Sequence, residues 1–369
     1  MAESDAGGER AGARAGGGVS PAARRESAFD RVAAPEAVAG RPELEFENTL
    51  RPGSFREFVG QRRLVSNLEV ALRAAAGRDE PPDHMLLCGP PGLGKTTLAR
   101  ILAAEIGTGL HTTTGPALER ARDLVGILTQ LKRGDVLFID EIHRVPAAVE
   151  EYLYTAMEDF SVDLTLDQGP EARVLPLKLE RFTLVGATTR VGLLSAPFRG
   201  RFGHLERLVP YPEEDLVRIL ARSAGILGLE LEPAAAETIA VRSRGTPRIA
   251  NRFLRRVRDL AQVSGATAAD TDLAREALAR LGVDDHGLEE LDRRILDCLC
   301  TPGGPVGLKT IAAAVGESED TIEEVFEPHL LRCGFVQKTG RGRVITPSGR
   351  RALGVAPEVG APPEPDLFP

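Results

Sequence analysis

Three short stretches carry residues spaced for phosphate chemistry. Residues 89–96 read GPPGLGKT, which satisfies G-x-x-x-x-G-K-[ST], with the apolar run MLLC before it and the helical pattern TTLARILAAEI after it. Gly92 and Gly94 let successive backbone N–H groups turn toward an anion at the positive end of a helix. Lys95 adds a compact charge for the β- and γ-phosphates of a nucleoside triphosphate, and the Thr96 hydroxyl, with Thr97 beside it, suits Mg²⁺. The second stretch, DVLFIDEIH, delivers Asp140 and Glu141 to the end of a four-residue apolar run, where open parallel sheets place their ligands. Asp140 is expected to hold a water of the Mg²⁺ shell and Glu141 to orient the attacking water. An acidic pair after a strand also serves as a plain helix cap, and the P-loop upstream is what turns it into a site. The third stretch, FTLVGATTR, ends another apolar run in hydroxyls. Thr189 is placed to sense a γ-phosphate or hold the hydrolytic water, although threonines at a strand end equally satisfy backbone groups.

Such residues need a scaffold that brings strand ends together. Apolar runs (HMLLCG, DVLFIDE, FTLVGATT) alternate with amphipathic ones (TTLARILAAEIG, AAVEEYLYTAMEDF), which predicts a parallel sheet with helices on both faces, an α/β fold. From Glu213 to about Leu281 the pattern is purely helical, predicting a small helical domain. LDRRILDCLC, LKTIAAAVG and DTIEEVFEPHLLRCG then read as three short helices, and FVQKTGRGRVITP as two strands around a Gly-rich turn. Three helices and a hairpin make a winged helix-turn-helix. The expected division is a disordered leader at 1–44, rich in Gly, Ala and Arg, a large ATPase domain at 45–211, a helical lid at 212–283, a winged helix at 284–351 and a flexible tail at 352–369.

Composition bounds the function classes. The 369 residues carry a formal net charge of −8, which argues against a uniformly phosphate-coated surface. Local patches differ: from Arg332 to Arg351 the sequence includes Lys338, Arg341 and Arg343 and no acid, and from Arg242 to Arg258 it carries seven arginines and no acid. No run of 18 apolar residues exists, and the N-terminal stretch lacks the apolar core of a secretory signal, so a cytoplasmic protein without membrane contact is expected. The four cysteines form no CxxC pair and sit in apolar runs, which predicts small buried hydrophobes without disulfide or zinc.

The ordered set GPPGLGKTT, DVLFIDEIH, GATTR, PFRGRFG and GTPRIANR resembles the AAA+ ATPases. LRPGSFREFVGQ, EEYLYTAMEDFSVDLTLDQGPEARVLPLKLERFTLVGATTR, RGTPRIANRFLRRVRD and EPHLLRCGFVQKTGRGR narrow the resemblance to the RuvB family of bacterial Holliday-junction branch-migration motors, over about residues 46–350. This resemblance implies an ATP- and Mg²⁺-dependent homohexameric ring around duplex DNA, working with RuvA and with RuvC in recombination and repair. It assigns Leu50 and Arg51 to the adenine side, Tyr211 to closing that pocket from the lid, and Arg248 to the γ-phosphate of the same subunit. Arg201 becomes the arginine offered to a neighbour's nucleotide, with Glu158, Asp159 and Phe160 near that shared site. The insertion from Ser161 to Leu179 becomes a β-hairpin that docks RuvA, and the wing faces DNA through Lys338, Arg341 and Arg343. Phe58 and Phe160 stand where the family often has tyrosine, which keeps the ring and removes a hydroxyl.

Two other classes share part of this pattern. A clamp loader or replication initiator has the same phosphate motifs but uses ATP to assemble complexes, and a nucleotide-switched regulator would read an operator with its winged helix. The PEARV insertion and the winged terminus count against the first. The acidic and apolar character of DTIEEVFEPHLLRCG counts against the second.

Overall fold

The structure is a computed structural model and describes residues 41–165, 174–300 and 304–355. Its centre is a five-stranded sheet built from β1 (Met85–Cys88), β2 (Leu110–Thr114), β3 (Val136–Asp140), β6 (Thr183–Thr188) and β7 (His204–Arg207), with an antiparallel pair, β4 (Ser161–Thr165) and β5 (Val174–Lys178), inserted between β3 and β6. The order is β2-β3-β6-β1-β7 and every pairing within it is parallel. Each of β1, β3 and β6 is buried nearly throughout, as both faces are covered.

Alternation along the strands sorts the core into two layers. Met85, Leu87, Val136, Phe138 and Val185 face the helix Lys95–Ile106, through Leu98, Ile101 and Leu102. Their neighbours Leu86, Cys88, Leu137, Ile139 and Leu184 face the opposite layer with Val149 and Leu153 of the helix Ala147–Glu158. The first layer continues without a break into the lid, where Leu216, Leu220, Phe253 and Leu254 pack in the same cluster. The lid comprises helices Glu213–Ile226, Pro233–Arg242, Pro247–Ser264 and Thr271–Arg280. It also contains a two-residue parallel bridge between Glu230–Leu231 and Ala268–Ala269 that an all-helical reading omits. That bridge is too short to leave a period-2 pattern in the sequence.

The C-terminal unit has its own core around Leu296, Ile311, Ile322, Leu330 and Ile345. Helices Glu290–Cys300 and Leu308–Val315 and the helical stretch Glu319–Arg332 precede two antiparallel strands, Val336–Thr339 and Gly342–Ile345, joined by the turn at Gly340 and Arg341. This is the winged helix expected from the pattern, with Val306 bridging to Arg343 on the wing's far edge.

One boundary differs from expectation. A helix spans Arg41–Leu50, so its first residues fall inside the stretch read as leader. Pro42 falls in the first turn, where its missing N–H costs nothing, and Glu47 later in the helix has partners across the molecule. The rest of the predicted leader, the tip of the insertion at 166–173 and the tail from 356 onward lie outside the described residues.

Candidate nucleotide-binding site

The phosphate loop owes its shape to glycines. Gly92 has φ +77° and Gly94 φ +104°, conformations that L side chains rarely adopt. A Cβ on Gly92 would also lie 2.8 Å from Thr246 Cγ2 and 3.1 Å from Arg248 Cβ, so the loop is pressed against the lid. Gly94 caps the helix that starts at Lys95, leaving its first N–H groups facing the loop. Lys95 is 7 % exposed, and its Nζ donates to Gly89 O at 2.8 Å and Pro90 O at 2.9 Å. Burial holds its pKa below the usual ammonium range, against the pull of Asp140. A buried ammonium satisfied only by two carbonyls can turn to an anion with gain, because charge-assisted bonds are roughly twice as strong as neutral ones.

Asp140 ends β3 and accepts from Glu141 N at 2.9 Å, and burial raises its carboxyl pKa. Glu141 has φ +48°, an uncommon conformation for a non-glycine residue of the kind found at functional turns. Its carboxylate pairs with Arg144 at 2.9 Å across the same turn. At the end of β6 the two threonines divide the work. The Thr188 hydroxyl accepts from Arg190 N at 2.9 Å and lies 3.0 Å from His143 Nδ1, while Thr189 lines the cleft and donates to Glu324 Oε2 at 3.2 Å. Backbone satisfaction thus falls to Thr188.

A cleft of about 590 Å³ between sheet and lid gathers the residues expected to act within one chain. Leu50, Arg51, Gly92, Gly94, Lys95, Thr96, Thr97, Asp140, Glu141, Thr189, Tyr211 and Arg248 all line it. Tyr211 is buried, its hydroxyl donates to Leu93 O at 3.2 Å, and burial raises its pKa. Arg248 opens the helix Pro247–Ser264 and meets Glu47 at 3.3 Å. Thr96 and Asp140 offer hard oxygens beside Lys95, a donor set that fits Mg²⁺, which binds through few protein carboxylates and keeps water and phosphate oxygens.

Arg201, Glu158, Asp159 and Phe160 do not line this cleft. Arg201 pairs with Glu158 at 3.1 Å, donates to Pro197 O at 2.9 Å and stacks over the Tyr154 ring at 4.3 Å. Phe160 packs edge-on against Phe182 with ring centroids 5.9 Å apart. On the wing, Lys338 reaches Glu323 at 3.1 Å, and Arg343 makes a two-pronged pair with Glu327 at 2.7 and 2.9 Å. Arg341 sits exposed at the turn.

Several participants escaped sequence reading. Arg222 donates to Leu50 O at 2.8 Å and pairs with Glu57 at 3.1 Å, fastening the end of the helix Arg41–Leu50 and the turn that follows it to the lid. The Gln61 amide brackets Val209, donating to its carbonyl at 2.6 Å and accepting from its N–H at 3.3 Å. Their partners lie far away in sequence, so no local signal marks them. Glu47 is the exception: it sits four residues before Arg51, a spacing that pairs helical neighbours, and the two are 3.7 Å apart.

A P-loop at the head of a parallel sheet, roofed by a helical lid and followed by a winged helix, defines an AAA+ ATPase. Residues 50–208 match the Holliday junction DNA helicase RuvB P-loop domain, 211–284 the RuvB AAA lid domain and 285–354 the RuvB C-terminal winged helix domain. The Holliday junction branch migration complex subunit RuvB of Chlorobium luteolum is 56 % identical over 313 residues, covering 84 % of this chain and 90 % of that one. The corresponding subunit of Limosilactobacillus reuteri is 51 % identical over 319 residues, with 86 % and 94 % covered. The Thermotoga maritima RuvB Holliday junction branch migration motor superposes with a TM-score of 0.76 at 49 % identity, over 83 % of this chain and 99 % of that one. The chain belongs to the RuvB family.

Proposed function

We propose that this chain is an ATP-driven DNA motor that forms a hexameric ring and moves the branch point of Holliday junctions, in recombination and repair, together with RuvA and RuvC. The observation that supports this most directly is the division of the expected catalytic residues. Those that would grip and align a triphosphate share one cleft, whereas Arg201 lies on another surface beside Glu158. A cleft arranged in this way is completed by a neighbour, and head-to-tail supply of one residue per site closes naturally into a ring.

Within that reading each side chain has a task. Lys95 leaves the loop carbonyls for the β- and γ-phosphate oxygens, and Arg248 approaches the γ-phosphate from the lid. Glu141 orients the attacking water and Thr189 fixes it from β6. Thr96 and Asp140 would hold Mg²⁺, which neutralises phosphate charge when bound. Arg201 of one subunit completes the charge set of the next. No nucleophile is supplied by the protein, so catalysis consists of positioning and electrostatics.

The hairpin β4–β5 supports RuvA docking, since it forms a separate two-stranded sheet inserted between two core strands, anchored at its base by Val162 in the core and with Leu175 exposed. The wing supports a backbone-reading DNA contact, as arginine at a Gly-rich turn serves phosphates on any sequence. An operator-reading role fits poorly: the helix that would enter a groove carries Glu323 and Glu327 toward the wing and Asp320 and Glu324 toward the ATPase domain. A motor that acts on Holliday junctions works where the DNA is, in the cytoplasm; among the described residues no helix is long and apolar enough to cross a membrane. The test is ATP hydrolysis and junction dissociation by the purified chain, with and without RuvA. ATP-dependent dissociation that RuvA stimulates is the expected result, and hydrolysis without any movement of the branch point would overturn it.

A further inference from the structure

The winged helix touches the catalytic strand end directly. Thr189 Oγ1 donates to Glu324 Oε2 at 3.2 Å, and the next residue, Arg190, forms ion pairs with the same carboxylate and with Asp320 at 2.8 Å. All three acceptor oxygens belong to one helical stretch of the C-terminal domain, more than a hundred residues from β6.

A threonine hydroxyl has one proton to donate. While Thr189 gives it to Glu324, it cannot give it to a γ-phosphate or share it with a hydrolytic water. Glu324 also brings a negative charge to the rim of a cleft suited to a polyanion. From this competition we propose that Glu324 is a positioning residue acting as a brake in cis, which holds Thr189 away from chemistry until the winged helix shifts. The proposal deepens the functional reading above and rests on it.

The same helix provides the release. Its other face presents Glu323 and Glu327 to Lys338 and Arg343 of the wing, at 3.1 Å and 2.7 Å. A wing drawn to duplex DNA therefore moves the helix that carries Glu324. The contacts to be broken are accessible ones: the Glu324 side chain is 28 % exposed and that of Asp320 75 %, and ion pairs so exposed are weak. Engagement of DNA thereby frees the Thr189 proton and raises turnover.

Steady-state hydrolysis by the full chain, fitted separately for kcat and KM without DNA and with saturating duplex, tests this. Glu324→Ala is expected to raise the DNA-free kcat by roughly fivefold, the factor for one hydrogen bond of ordinary strength. KM for ATP should change by less than about twofold, and stimulation by DNA should shrink by the same factor as kcat rises. Glu324→Gln keeps an oxygen that accepts from Thr189 and should stay within about twofold of the parent. Melting temperatures of both variants identify any loss of folding. A DNA-free kcat that is unchanged or lower in a folded Glu324→Ala protein, or equal acceleration by both variants, overturns the brake. Lys95→Ala measured alongside separates the two ideas: if it abolishes turnover while Glu324→Ala does nothing, the nucleotide site stands and only the brake falls.

Discussion

Removing Arg201 separates chemistry from folding more cleanly than any other change. Its contacts within its own chain are modest: an ion pair to Glu158, whose side chain is 56 % exposed, a bond to Pro197 O and a stack on Tyr154. An exposed pair contributes about 0–1 kcal/mol, a cation–π contact about 0.5–1 kcal/mol and the bond to Pro197 O about 0.5–1.5 kcal/mol, so Arg201→Ala should cost at most about 3.5 kcal/mol of stability. An arginine supplied to a phosphoryl-transfer site is worth about 10³–10⁵ in kcat, or about 4–7 kcal/mol. The catalytic loss thus exceeds the structural one. Because Arg201 lies outside the cleft, fluorescent-nucleotide titration should give nearly the parent affinity. The sharper assay mixes Arg201→Ala with Glu141→Gln. Each alone is inactive, but a site that combines its own Glu141 with a neighbour's Arg201 is whole. With random mixing at equal amounts and independent sites, turnover should recover to about a quarter of the parent rate, as each interface of a head-to-tail ring draws one residue from each side. A mixture no more active than its components would refute transfer between subunits, and so would a monomer with full activity.

The remaining predictions are shorter. Lys95→Ala, by removing the ammonium that the loop carbonyls now hold, should abolish ATP hydrolysis and junction dissociation together; either surviving at the parent rate rejects the site. On the wing two neighbouring arginines should behave oppositely. Arg341→Ala should leave the melting temperature alone and lower the slope of log Kd against log salt for duplex DNA by about 1. Arg343→Ala should destabilise the domain by about 3 kcal/mol, because the Glu327 carboxylate, 6 % exposed, loses its two-pronged partner; thermal melts of the two variants decide it. Acid should loosen the same domain through His329. Burial, with Arg244 and Arg332 nearby, pushes its pKa down to about 4. The unfolded chain, with histidine near 6.5, binds the proton first, so stability is complete above about pH 6.5 and falls by up to about 3 kcal/mol as pH drops toward 4. His329→Gln should flatten that part of the profile, and an unchanged acid slope would contradict the assignment.

Sequence made the centre of the site legible because its physics is local. A phosphate loop needs glycines at fixed offsets, and GPPGLGKT writes them down. Asp140 and Thr189 were readable because one apolar strand ends at the first and another ends just before the second. Arg222, Gln61 and the Thr189–Glu324 bond were not, since each joins segments 135 to 172 residues apart and surface arginines are common in this chain. The wing shows a subtler limit. Lys338, Arg341 and Arg343 read as one positive cluster, yet their partners Glu323 and Glu327 lie on a preceding helix and occupy two of the three. Charge counted along a chain says nothing of charge neutralised across space.

How the winged helix is attached decides what ATP can move. One attachment is buried: Arg244, in the lid four residues before Arg248, pairs with Asp292 of the winged-helix domain, whose side chain is fully buried. Arg244 Nε also donates to Gly287 O at 2.9 Å, and Arg332 returns a bond to Arg244 O at 2.8 Å. Separating such a pair leaves an uncompensated charge in the interior and costs about 3–5 kcal/mol. The other attachment, from Thr189 and Arg190 to Glu324 and Asp320, is more exposed and correspondingly cheap to open. The winged helix is therefore tied more firmly to the lid, which also carries Arg248, than to the end of β6, and of these two attachments the one that holds the Thr189 proton is the easier to open.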